Sequence, residues 1–207
     1  MPLRFAWLRN GRKCCGLEWP AFVLGLVLPF GAWAIEVQPT RVQIEAALQQ
    51  GKAAAEKRIP PDRLYAWFGA SDDLHPKGFL MTKLNGLVVM GAHFALRSAT
   101  PSEQEIAQML NAKTLLVSVI LFGDRPDFAV DSYMVLEQNG KTIKPQNVRF
   151  DGRAARTAMW PGSPAYRAKV VASFAYADLD PRAKTKLVVF PAEGGEVTFD
   201  LDFAQID

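Results

Sequence analysis

Between residues 196 and 203 the side chains alternate without a fault. Val197, Phe199, Leu201 and Phe203 fall on one side, and Glu196, Thr198, Asp200 and Asp202 on the other. A two-residue period is that of a β-strand with one face buried and one in water. The pattern recurs upstream. Residues 170–176 set Val170, Ala172, Phe174 and Tyr176 on one side, and residues 187–190 form a further short strand. Residues 133–138 and 141–145 flank Asn139-Gly140. That pair suits a two-residue type I′ turn, which needs positive φ at both positions. It sets Leu136 opposite Ile143. Residues 115–122, LLVSVILF, are apolar at nearly every position, which predicts a central strand covered on both faces. Residues 79–84 and 87–96 flank a second Asn-Gly pair, Asn85-Gly86, and read as another hairpin, with Met81 opposite Met90 and Phe79 opposite Ala92. Gly86, Gly91 and Val88-Val89 count against a helix there.

About eight strands then occupy residues 79–206, spaced as in a sandwich. Two stretches keep a helical period instead. In residues 40–59, Thr40 and Gln43 have capping-box spacing, and Ile44, Ala47, Leu48, Gly51, Ala55 and Ile59 share a face until Pro60-Pro61 ends it. A short helix is expected to follow, with Leu64, Trp67 and Phe68 as its apolar side and Gly69 as its C-cap. Thr100-Pro101-Ser102-Glu103 reads as the start of an inserted helix that runs to Asn111 and buries Ile106, Met109 and Leu110. The expected fold is mainly β: an immunoglobulin-like antiparallel β-sandwich with N-terminal helices and one inserted helix. Residues 35–78 form the helical segment packed on the sandwich, and residues 79–207 the sandwich itself.

The first 34 residues read as an address. A basic stretch with Arg4, Arg9, Arg12 and Lys13 precedes the uncharged run 19–34, which ends in Ala32-Trp33-Ala34. Basic start, short apolar core and small-residue exit are the layout of a secretory signal peptide. Cleavage after Ala34 is expected, and a periplasmic or secreted location follows from it. The competing reading is a retained anchor, for which the run is short and is interrupted by Pro29.

Composition narrows the chemistry. Lys and Arg number 24 against 21 Asp and Glu, but the first 34 residues hold four bases and one acid, leaving 20 of each sign in the rest. A neutral body gives no broad field for a polyanion, so no nucleic-acid partner is expected. The cysteines are Cys14 and Cys15, both in the leader, so the body has neither a disulfide scaffold nor a cysteine zinc site. Gly140-Lys141-Thr142 lacks the earlier glycine of a phosphate loop, since Val stands at 135. No serine lies in a nucleophile-turn context, and proline follows Ser163 in Gly162-Ser163-Pro164. His75 lies close to Asp72 and Asp73, and His93 three residues from Met90, an odd spacing that separates the pair in a strand. Asp124, Asp127 and Asp131 are interrupted by Arg125 and Pro126 and follow turn chemistry rather than a calcium loop. Neither a cofactor nor a metal ligand is assigned.

The segment 149–167, RFDGRAARTAMWPGSPAYR, stands out as a long loop carrying Arg149, Arg153, Arg156 and Arg167 together with Trp160 and Tyr166. Long loops in compact domains tend to carry function, and Arg and aromatic residues are enriched at binding hot spots. These six residues are the candidate contacts, and a partner with an acidic patch is expected. The resulting function is that of an exported, non-catalytic sandwich binding a protein or envelope component. Two alternatives stand beside it. One is a carbohydrate-binding module stacking sugars on Trp160 and Tyr166, or on Tyr65 and Trp67. The other is a metal-dependent exported enzyme or metal carrier using His75 or His93.

Overall fold

A computed structural model of the protein describes residues 35–206; residues 1–34, where the signal peptide is expected, lie outside the described residues. In chain order the elements are α1 (Arg41–Glu56), β1 (Ala66–Gly69), β2 (Lys77–Met81), α2 (Lys83–Leu96), α3 (Glu103–Leu110), β3 (Thr114–Gly123), β4 (Tyr133–Gln138), β5 (Lys141–Ile143), β6 (Asn147–Phe150), β7 (Ala155–Arg156), β8 (Tyr166–Ala175), β9 (Lys184–Phe190) and β10 (Val197–Asp202). All pairings are antiparallel. One sheet runs β1-β2-β3-β8-β6, with β7 also on β8, and the other runs β10-β9-β4-β5. If β2, β3, β4, β5, β6, β8, β9 and β10 are lettered A, B, C, C′, D, E, F and G, the sheets are A-B-E-D and G-F-C-C′. That is the strand order of an immunoglobulin-like sandwich.

The inner faces make one core. Val117 and Val119 of β3, Val170 and Phe174 of β8, Leu136 of β4 and Leu187 of β9 are fully buried in it. Ile35 joins from the N-terminal side, 2% exposed, and its N–H donates to the Pro181 carbonyl at 3.2 Å. The Asn139-Gly140 turn takes positive φ at both residues and pairs Leu136 with Ile143, as its sequence requires.

Residues 83–96 depart from expectation. They form helix α2, not the second strand of a hairpin, and the Asn85-Gly86 turn does not exist. Thr82 caps the helix by accepting the Asn85 N–H at 3.1 Å. The glycines that argued against a helix are needed where helices touch. A Cβ at Gly91 would stand 2.5 Å from the Leu48 carbonyl of α1, one at Gly51 would overlap the Val88 carbonyl, and one at Gly86 would meet the Met109 sulfur at 2.7 Å. Two helices are therefore inserted between β2 and β3, where one was expected. Phe79 pairs with Trp67 and Ser118, and Met81 with Leu116. The cap of α3 lies two residues later than its sequence reading: Ser102 and Glu105 form the box, with the Glu105 carboxylate accepting the Ser102 N–H at 2.7 Å.

The short helix expected after Pro61 is a single 3-10 turn, Pro61–Leu64, followed by strand β1. Strand alternation then splits the aromatics. Phe68 points inward, edge-on to Phe199 at 5.0 Å, and Trp67 points outward. Helices α1, α2 and α3 have a small core of their own around Ala47, Leu87 and Val88, apart from that of the sandwich. From the segment expected to be helical, it is Ile35, Val37, Ala66 and Phe68 that reach the sandwich core.

Candidate binding surface

β3 ends at Gly123, which pairs with Tyr166 at the start of β8, and Tyr133 at the start of β4 pairs with Phe190 at the end of β9. The loops 124–132, 151–165 and 191–196 therefore gather at one end of the sandwich, and helices α2 and α3 leave from the other, where Met81 pairs with Leu116. Side chains staple these loops together. The Asp124 carboxylate accepts the Ser163 hydroxyl at 2.9 Å and the Ala165 N–H at 3.0 Å. Arg125 bridges Asp127 at 2.9 Å and Glu193 at 3.1 Å. The Ala154 N–H donates to the Pro126 carbonyl at 2.7 Å. These bonds account for Asp124 and Asp127, which hold turns. The Arg125 guanidinium keeps the Asp127 carboxyl below its ordinary range.

The long loop is ordered from within as well. Thr157 donates its N–H to the Ala165 carbonyl at 2.9 Å and its hydroxyl to the Pro164 carbonyl, and that hydroxyl accepts the Met159 N–H at 3.1 Å. Trp160 is 43% exposed at the tip, and the Arg156 guanidinium lies 3.9 Å from its ring centroid. A cation on a ring face fixes an exposed aromatic without burying it.

The structure divides the six candidate residues. Arg156, Trp160 and Arg167 come together at the loop. There Arg156 and Arg167 line a cleft of about 450 Å³ that Asp72 and Asp73 also line. The local excess of positive charge expected from the sequence is thus met by two carboxylates from a loop far away in the chain. Asp73 is held below its ordinary range first by its hydrogen bond and charge contact with Lys77 and further by Arg167. Arg153 stands exposed in the turn after β6, with no ion pair among the described residues. Tyr166 does not join the loop tip: it is half-buried and packs on the sandwich core. Arg149 lies on the outer face of the first sheet, opposite Val171.

His75 turns Nδ1 to the Asp72 carboxylate at 2.8 Å, and Asp73 pairs with Lys77 at 2.6 Å instead, so the two aspartates engage different partners. His93 is exposed on α2, and Met90 is half-buried among the helices. No group of three or more His, Cys, Asp or Glu among the described residues is placed to hold a metal ion. Tyr65 stacks on Phe79 at 4.4 Å, and Trp67 stands edge-on to Phe79 at 5.3 Å with its Nε1–H donating to the Asp62 carbonyl. Rings of both proposed sugar-stacking pairs are thus engaged within the protein: Tyr65 and Trp67 by Phe79, and Trp160 by Arg156.

A further set of surface residues escaped the sequence reading. β3 was expected to be covered on both faces, but its outer face is covered only in part: Ser118 is buried, Leu116 is 36% exposed, and Ile120 and Phe122 are half-buried. Register places them beside Phe79 and Val171 on one open sheet face. An apolar run broken only by Ser118 was the available signal.

The strand order defines the class of protein, an immunoglobulin-like β-sandwich with helices inserted between its first two lettered strands. No family model matches the chain, and no curated protein matches it in sequence. Among solved structures it is similar to the archaellum periplasmic stator protein FlaG from Sulfolobus acidocaldarius, at 10% identity over 44% of this chain and 88% of that one, with a TM-score of 0.30. It is also similar to IgNAR antibody domain C1, at 10% identity over 65% of this chain and 98% of that one, and to domain C3, at 11% identity over 63% and 97%, each with a TM-score of 0.32. At such low scores the immunoglobulin-like assignment rests on the strand order and not on these likenesses.

Proposed function

We propose that this chain is an exported, non-catalytic binding protein that engages a protein or envelope component through the stapled loops at one end of its sandwich. The observation that carries the reading is Trp160, exposed at the tip of a hydrogen-bonded loop and fixed by Arg156. A rigid aromatic offered to solvent loses little conformational entropy on binding, which is the property of a hot-spot residue. The Asp124 and Arg125 staples prepare the surface in the same sense. Arg153 and Arg156 offer charge-assisted bonds to an acidic patch on the partner. Export rests on the 1–34 leader, and the mature chain then begins at Ile35; intact mass of protein from the soluble envelope fraction tests it, and a retained leader contradicts it. Among the described residues no helix is long and apolar enough to cross a membrane.

The deciding experiment is crosslinking in the producing cell, identification of the partner, and capture of that partner by purified protein. Arg153→Ala with Arg156→Ala should weaken capture and flatten its dependence on salt while leaving the fold intact. Equal capture by the double variant and the parent at low salt would remove these loops as the binding face.

A further inference from the structure

The outer face of the first sheet has a composition unlike the rest of the sandwich. Register sets Trp67, Phe79, Ser118, Val171 and Arg149 in one row across β1, β2, β3, β8 and β6. The next row toward the loops holds Lys77, Ile120 and Lys169, and the row toward the helices holds Met81 and Leu116. Apolar side chains fill the half built from β1, β2 and β3. The other half carries cations: Arg149 and Lys169, with Arg167 beyond them. Every charged residue that the strands place on this face is basic. Lys77 is paired with Asp73, and neither Arg149 nor Lys169 has an ion pair among the described residues. The nearby Asp151 carboxylate is taken by the Lys169 backbone N–H at 2.8 Å.

We propose that this sheet face is a docking surface for an amphipathic protein segment that lays apolar side chains over Trp67, Leu116 and Ile120 and acidic side chains along Arg149 and Lys169. The surface is separate from the loop end and does not depend on the loop reading. Charge decides the class of occupant. A second copy of the chain would bring the same basic face and no carboxylate for these cations, which disfavours face-to-face pairing. An anionic bilayer would satisfy the charge, but each apolar side chain here is more than half covered by the protein itself. Trp67 is 43% and Leu116 36% exposed, Ile120 and Val171 are half-buried, and Phe79 lies under Tyr65. Partly exposed apolar rows bordered by charge suit another protein surface.

The test uses the full chain and a labelled amphipathic helical peptide with leucines on one face and glutamates along one flank, compared with its lysine counterpart. Binding is followed by fluorescence anisotropy at low salt. The glutamate peptide should bind and the lysine peptide should not. Leu116→Glu and Arg149→Glu should each weaken binding roughly tenfold or more through like-charge and desolvation costs. Trp160→Ala should leave it unchanged, which separates this surface from the loops. Thermal unfolding of each variant confirms that it is folded; Arg149 stands on an edge strand, so its variant keeps the test alive if Leu116→Glu fails to fold. No binding of the glutamate peptide, or binding by both folded variants as tight as the parent's, overturns the proposal. So does either competing occupant: Leu116-dependent binding to phosphatidylglycerol vesicles in place of the peptide, or Leu116-dependent self-association in sedimentation.

Discussion

Trp160 shows how one residue can be ordered and exposed together. Its backbone N–H donates to the Thr157 carbonyl at 3.3 Å, and its ring carries the Arg156 guanidinium while staying 43% exposed. Trp160→Ala should therefore change stability by no more than about 0.5 kcal/mol, as at other exposed sites. It should weaken partner binding by about 2 kcal/mol, the size of a hot-spot truncation. Urea unfolding and a binding titration separate the two effects, and a stability loss of several kcal/mol would mean that the ring serves the fold. Glu105 makes a different prediction at the same scale. Its carboxylate accepts the Ser102 N–H and hydroxyl, and these bonds hold its pKa below the ordinary glutamate value, the backbone bond first. A folded pKa below the unfolded one means that the bonds stabilise the folded state above the ordinary glutamate range. That contribution is lost as pH falls through the folded pKa. Hydrogen exchange in residues 103–110 should quicken over that fall in pH relative to the sheets, and the difference should vanish in Glu105→Gln.

At the scale of elements, the α1–α2 pair depends on backbone proximity. A Cβ at Gly51 would strike the Val88 carbonyl, whereas one at Gly152 would meet nothing within 4 Å. Gly51→Ala should cost about 1–3 kcal/mol or more by overpacking, despite the better helix propensity of alanine. Gly152→Ala should be close to neutral, and denaturant titration of the two compares them directly. The same glycines explain why α2 was illegible in the sequence. Asn85-Gly86 and Gly91 carry local signals for a turn and against a helix; what overrides them is a neighbouring helix that the local sequence does not contain. The Asn139-Gly140 hairpin and the alternation of 196–203 were legible because a hairpin and a half-buried strand are specified by adjacent residues. β3 failed in a third way: its run of apolar residues reported hydrophobicity correctly, but nothing in the run says whether a second layer exists to cover it. The loop residues were singled out by composition, but strand alternation at β8 turned Tyr166 inward and Asp72 and Asp73 arrived from a distant loop. Both facts depend on tertiary structure.

Across the whole molecule, one end of the sandwich is built for rigidity in its loops and the other carries the helical insertion. The core ties the N-terminal segment to the body through Ile35, so Ile35→Ala should lower stability by about 2–5 kcal/mol, the cost of emptying a buried aliphatic site. Calorimetry or urea unfolding checks it; a loss below about 0.5 kcal/mol, the scale of surface sites, would place Ile35 outside the cooperative unit. Stapled loops, an exposed tryptophan and arginines at one end are the features on which the proposed recognition surface rests. The most direct test of that claim is site-specific photocrosslinking in the producing cell, with a photoreactive phenylalanine analogue at Met159, beside Trp160, and at Gln49 on the exposed side of α1 as the comparison. The account predicts a discrete protein adduct from position 159, absent from position 49 and reduced by Arg153→Ala with Arg156→Ala. No adduct from position 159, or the same adducts from both positions, would contradict it.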